Sequence, residues 1–193
     1  TAVAMASMHG RVSQAEIDGL LSSGAARGTT QPTASDFREM IEAEMAEVVA
    51  RGYVSGRDAA VNLSVGLPPF AERDGTKLTL AQFSTPPAVG QLAAEFLVSG
   101  GSATEILEPT IGNGLLAAAS VAAGASIRGF EIDDDRAKRA QSALGGSSRI
   151  STADAGEADI GNEYDAVIAN PPFGKLAGVE QVKLDSVDAS FAV

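Results

Sequence analysis

The chain has 193 residues, 45% of them hydrophobic, enough for one core of ordinary domain size. With 14 basic and 25 acidic residues its net charge is −11, whereas holding a phosphate backbone normally demands a basic stripe, so these residues alone are expected to bind duplex DNA poorly. It has no cysteine and a single histidine, His9, which excludes disulfides, thiolate metal sites and histidine-pair metal centres; no metal site is expected.

Residues 1–35 are rich in Ala, Ser, Gly and Thr. Val12, Ile17, Leu20 and Leu21 allow one short helix before a loose linker, and His9 is read as chemically silent. From Ser35, an expected N-cap, Phe37, Ile41, Met45, Val48 and Val49 mark one face of a helix that ends at Arg51-Gly52. This is an ordinary core stripe, and the other face carries Glu39, Glu42, Glu44 and Glu47. Residues 57–63 are predicted to form a further short helix. These elements make residues 1–80 an N-terminal helical region with linker, preceding a domain over residues 81–193. No apolar run approaches the roughly 18 residues of a membrane span. The N-terminus has neither the basic start nor the apolar stretch of a signal peptide, and a cytoplasmic protein without a membrane partner is expected.

A longer helix is predicted over residues 86–99, packing Val89, Leu92, Ala93, Phe96 and Leu97 inward. Its start should offer unpaired N–H groups to an anion. Residues 103–107 then read as a strand, followed by Glu108-Pro109-Thr110-Ile111-Gly112-Asn113-Gly114 and an alanine-rich helix over 115–123. Gly112 and Gly114 permit a sharp turn and close backbone approach to a ligand. A dinucleotide loop would carry a third glycine where Ala117 stands, and Glu108 would repel a pyrophosphate. The carboxylate suits instead a ligand with an ammonium group, such as the methionine end of S-adenosylmethionine. The plainer alternative is a tight strand-to-helix turn with an incidental glutamate.

Residues 125–131 form a second predicted strand, ending in Glu131 roughly 20 residues after the glycine turn, the interval at which nucleotide-binding folds place a ribose ligand. Asp133, Asp134 and Asp135 belong to the first turn of a helix over 134–143, where acids complement the helix dipole, and carry no chemistry. Residues 149–154 form a third strand ending in Asp154, which could accept from an adenine amino group or serve as a loop residue. Residues 164–169 form a fourth, ending at Asn170-Pro171-Pro172-Phe173. Two prolines in succession stiffen the turn and remove two backbone donors, leaving carbonyls to act as acceptors. An amide, a bare carbonyl and an aromatic ring together suit a planar base with an amino group, hence adenine. A rigid strand exit with a buried Phe is the alternative. All four strands end in polar or acidic residues, expected on one edge of an α/β sheet, where ligands bind.

In that order, Gln82-Phe83-Ser84-Thr85-Pro86-Pro87, Glu108-Pro109-Thr110-Ile111-Gly112-Asn113-Gly114 and Asn170-Pro171-Pro172-Phe173 resemble the motifs of the S-adenosylmethionine-dependent, adenine-specific (N6) DNA methyltransferases of restriction-modification systems. The resemblance covers about residues 80 to 176. It implies a Rossmann-like methyltransferase fold with an incomplete sheet, S-adenosylmethionine as cofactor, and DNA as substrate. By resemblance Thr85 contacts the cofactor carboxylate and Glu108, with Pro109, Gly112 and Gly114 in the same loop, its ammonium. Glu131 would hold the ribose, Ile132 would pack on the adenine ring and Asp154 would reach the adenine amino group. Asn170, Pro171, Pro172 and Phe173 would form the catalytic loop that receives a flipped-out adenine. The acidity, and the small extent of chain after Phe173, lead to the expectation of a fragment of a larger modification or anti-restriction protein, with DNA contacts and further domains or subunits beyond these residues. Two other readings stand: a protein-glutamine methyltransferase, which uses a related loop with Tyr where Phe173 stands, and a methylase-like fold kept as a structural or interaction module.

Overall fold

The computed structural model describes Ala15 and residues 34–66, 84–161 and 163–171. Val12, Ile17, Leu20, Leu21, His9, Gln82, Phe83, Pro172, Phe173 and the segment 174–193 lie outside the described residues. Among the described residues the sheet is preceded by α1 over Ala34–Ala50, α2 over Arg57–Gly66 and α3 over Pro87–Ala94, the last running on into a π-helical turn at Glu95–Ser99. Strands and helices then alternate as β1 Glu105–Glu108, α4 Ala118–Ala122, β2 Ser126–Glu131, α5 Asp134–Leu144 and β3 Arg149–Thr152, ending in a two-residue β4, Ala166–Val167.

Among the described residues the structure is α/β, built around a four-stranded sheet of order β3-β2-β1-β4 in which every pair is parallel. Parallel strands need crossover connections, and α4 and α5 supply those from β1 to β2 and from β2 to β3. Ile106, Ile127 and Phe130 are almost wholly buried in the central two strands, each such side chain contributing about 1.5–3 kcal/mol of hydrophobic stabilisation. Helix α1 joins the same core: Ile41, Met45, Ala46 and Val49 cluster with Ile106, Ala118 and Ala140. Among the described residues no helix is long and apolar enough to cross a membrane.

Asp165, just before β4, accepts hydrogen bonds from the Thr104 and Glu105 N–H groups and the Thr104 hydroxyl, at 2.8, 3.0 and 2.9 Å. This three-donor clasp aligns so short a strand, whose exit is fixed by the Ile168 N–H bonding to the Leu107 carbonyl at 2.9 Å. Asp133 caps α5 by accepting from the Arg136 N–H, and Asp134 pairs with Lys138. Both contacts lie at the start of α5, where the sequence predicts acids in the first turn.

Several predicted details are corrected. Ser35 lies inside α1 rather than at its cap, α2 extends to Gly66, and regular helix after the glycine turn is confined to Ala118–Ala122. The expected inward face of α3 is largely its outer one: Val89, Leu92 and Phe96 are 48%, 50% and 78% exposed, whereas Pro87, Gly90 and Ala94 are buried and Ala93 and Leu97 half-buried. Close backbone packing is the cause. A Cβ on Gly90 would stand 2.8 Å from the Leu116 carbonyl oxygen, so the helix seats its small residues against the turn before α4. Glu39 and Glu42, assigned to the outer face of α1, are buried.

Candidate functional site

In the sheet order, β1 has its sequence successor β2 on one side and β4 on the other, so the topology reverses between β1 and β4. Crevices at such reversals, beyond the carboxyl ends of the strands, are where open α/β sheets bind ligands. Glu108 ends β1, and Asn170 follows β4 by three residues.

Glu108 is 1% exposed. Burial pushes its carboxyl group up to about 8, against the opposing pull of hydrogen bonds from the Asn170 N–H and from the hydroxyl and N–H of Thr110. The Thr110 hydroxyl lies 3.5 Å from Oε1, long for such a bond. Among the described residues Oε2 has no hydrogen-bond partner. A buried acceptor left unsatisfied costs about 1–3 kcal/mol, more if charged, which an incoming donor would recover.

Thr85 and Asn170 meet here. The Asn170 side-chain Nδ2 donates to the Thr85 hydroxyl oxygen at 2.9 Å. Thr85 keeps its own hydroxyl hydrogen as a donor, and the amide of Asn170 is held by the nitrogen end. The segment before α3 and the loop after β4 therefore converge with Glu108.

The expected anion site at the start of α3 is not built. Pro86 and Pro87 have no N–H, the Ala88 N–H donates to the Ser64 hydroxyl at 3.2 Å, and those of Val89 and Gly90 return to the Pro86 carbonyl. The Thr85 hydroxyl remains a donor on this segment.

The glycine turn leaves β1 with positive φ at Gly112 (57°) and Gly114 (88°), a conformation that side-chain-bearing residues rarely adopt. Glu131 braces it: one carboxylate oxygen accepts from the Gly112 N–H and the other from the Asp133 N–H, both at 3.0 Å. Its lone pairs exceed these two bonds, so the carboxylate can still accept from a ligand hydroxyl. Ile132 next to it is 62% exposed, an apolar face at the sheet edge. Asp154 is exposed and accepts from the Gly156 N–H at 2.9 Å, the loop role weighed as the alternative from sequence. Pro109 is half-buried between Glu108 and the turn, and Pro171 is exposed after Asn170.

Four residues were not singled out for the site by sequence reasoning: Glu39, Glu42, Asn113 and Arg136. Asn113, between the two turn glycines, is buried and donates through Nδ2 to Glu39 at 2.5 Å and Glu42 at 2.9 Å. Arg136 Nε lies 3.2 Å from the Glu39 carboxylate, and its Nη1 lies 4.0 Å from that of Glu131. The signal was present in spacing: residues 39, 42, 46 and 49 follow one helical stripe, so two glutamates share the face of buried Ala46 and Val49.

Among the described residues no group of acidic or histidine side chains could hold a metal ion. Comparison with protein-family models, curated proteins and solved structures gives no match to this chain.

Proposed function

We propose that this chain is the cofactor-binding and catalytic part of an adenine-N6 DNA methyltransferase with a Rossmann-like S-adenosylmethionine-dependent fold. The observation that carries the reading is the buried oxygen of Glu108, unpartnered among the described residues, at the β1–β4 crossing beside the Thr85–Asn170 pair. An ammonium group satisfies that oxygen and draws the carboxyl group to its ionised form. The Thr85 hydroxyl would donate to the ligand carboxylate, Glu131 would accept from ribose hydroxyls, and Ile132 would cover one face of the adenine ring. Asp154, already used within its loop, has a second oxygen for the adenine amino group.

Bound S-adenosylmethionine supplies an electrophilic methyl group on a sulfonium. The protein must make a poor nucleophile competent, because the amino nitrogen of adenine shares its lone pair with the ring. Asn170 and the Pro171 carbonyl would accept the two amino hydrogens. Their attraction grows as nitrogen becomes cationic, so they lower the barrier more than they strengthen ground-state binding. Phe173, outside the described residues, is the partner for stacking on a base taken out of its duplex. DNA contacts would come from a larger protein.

The net charge of −11 favours a second reading, an interaction module that does not turn over. Transfer of a labelled methyl group to single-stranded, adenine-containing DNA separates the two. The enzyme reading requires transfer that Asn170→Ala abolishes; its absence also from longer polypeptides containing this chain would favour the module. Label appearing on protein glutamine instead would identify the related amide-methylating activity.

A further inference from the structure

We infer that helix α1 is a positioning element for the glycine turn, acting through Glu39, Glu42 and Asn113, so that α1 docking and ligand binding at the β1–β4 crossing are coupled. The inference rests on the function proposed above for its ligand, but the coupling of α1 to the turn is a property of the chain itself.

The turn is held from two sides. From the sheet, Glu131 takes the Gly112 N–H. From α1, Glu39 and Glu42 take Asn113 Nδ2, 74 and 71 residues away in sequence. An amide nitrogen has two hydrogens, so two carboxylates saturate it. Arg136 joins the two halves, its guanidinium lying between Glu39 and Glu131, while Arg139 adds a second positive charge 4.0 Å from Glu39. Arg136 also fills the space above the turn, where a Cβ on Gly112 would meet its Nη2 at 3.0 Å.

Two buried carboxylates, Glu39 and Glu131, around one buried guanidinium, with buried Glu42 on Asn113, are an expensive arrangement for stability alone, since apolar residues of similar volume are often as stable or more so. What the network adds is a specified position for Asn113 and hence for its two positive-φ neighbours. The turn leads directly from Glu108, the group that would meet the ligand ammonium. Coupling is reciprocal: if α1 holds the turn in its binding geometry, ligand binding must in turn stabilise α1 docking.

Amide hydrogen exchange on the full chain tests this, comparing wild type with Glu42→Gln, Asn113→Asp, the double variant Glu42→Gln/Asn113→Asp and the control Glu47→Gln. Asn113→Asp places a third carboxylate against two, and the double variant restores a donor to face it. Without ligand, Glu42→Gln and Asn113→Asp should speed exchange at residues 112–114 by about tenfold relative to β1 and β2, with recovery in the double variant and no change in the control. With S-adenosylmethionine, wild-type α1 amides should gain protection, and Asn113→Asp should bind about tenfold more weakly. Unchanged turn exchange in both single variants, or acceleration spread evenly over the whole sheet, would overturn the inference. Absence of ligand binding by wild type would instead count against the proposed function, and turn exchange would still decide the coupling.

Discussion

The side-chain amide of Asn170 donates to the Thr85 hydroxyl at 2.9 Å, across a separation of 85 residues. This bond ties the loop after the last described strand to the segment before α3, and its nitrogen-end grip sets which end of the amide an amine would meet. Replacing the hydroxyl with a methyl group should disorder that grip with little change in shape. On the proposed function, Thr85→Val is expected to lower the methyl-transfer rate at saturating substrate by about tenfold, about 1.4 kcal/mol in the barrier, whereas Thr85→Ser retains it. Single-turnover rates check this.

Glu108 makes stability depend on pH in a defined direction. Its carboxyl group ordinarily titrates near 4.5 and is pushed up to about 8 by burial. Between those values the folded chain holds a proton that the unfolded chain has released. The associated stability is therefore complete below about 4.5 and is lost as pH rises to about 8. Urea unfolding of ligand-free protein across this window should show the decline, and Glu108→Gln, which cannot ionise, should flatten it.

Ligand binding should carry the matching proton signature. A cationic ligand needs ionised Glu108, so below pH 8 binding releases up to about one proton and affinity rises by up to about tenfold per pH unit. Calorimetry in buffers of different ionisation enthalpy measures the proton count, which should vanish in Glu108→Gln.

Asp165 accepts three hydrogen bonds from Thr104 and Glu105, which hold its carboxyl group below the usual aspartate range. Its contribution is present above the unfolded-state value and is lost as pH falls through the lowered folded-state value. Asp165→Ala should free β4 from β1, seen as faster exchange of the Ile168 N–H, and should weaken the placement of Asn170.

Gly90→Ala would drive a methyl group to 2.8 Å from a backbone carbonyl oxygen that has little room to retreat. A loss of about 1–3 kcal/mol in unfolding free energy is expected, measured by urea denaturation.

The alternation of strands and helices was legible because parallel strands are apolar runs ended by glycine turns, and Glu108, Glu131 and Asn170 stood out as polar residues at strand ends. The orientation of α3 was not. Hydrophobic periodicity favours large side chains such as Val89, Leu92 and Phe96, whereas packing onto the Leu116 carbonyl selects Gly90 and Ala94. Glu39 and Glu42 escaped for a related reason: their burial depends on partners more than 70 residues away, Asn113 and Arg136, that no local pattern announces. The helix-start anion site failed on chemistry already in the sequence, since Pro86 and Pro87 cannot donate.

Isothermal calorimetry of S-adenosylmethionine into the chain, with Glu108→Gln alongside, tests the central claim most directly. Wild type is expected to bind at micromolar concentrations and the variant about tenfold or more weakly, because the substitution removes the charge while keeping the shape. Failure of wild type to bind, or equal binding by the variant, would contradict that claim.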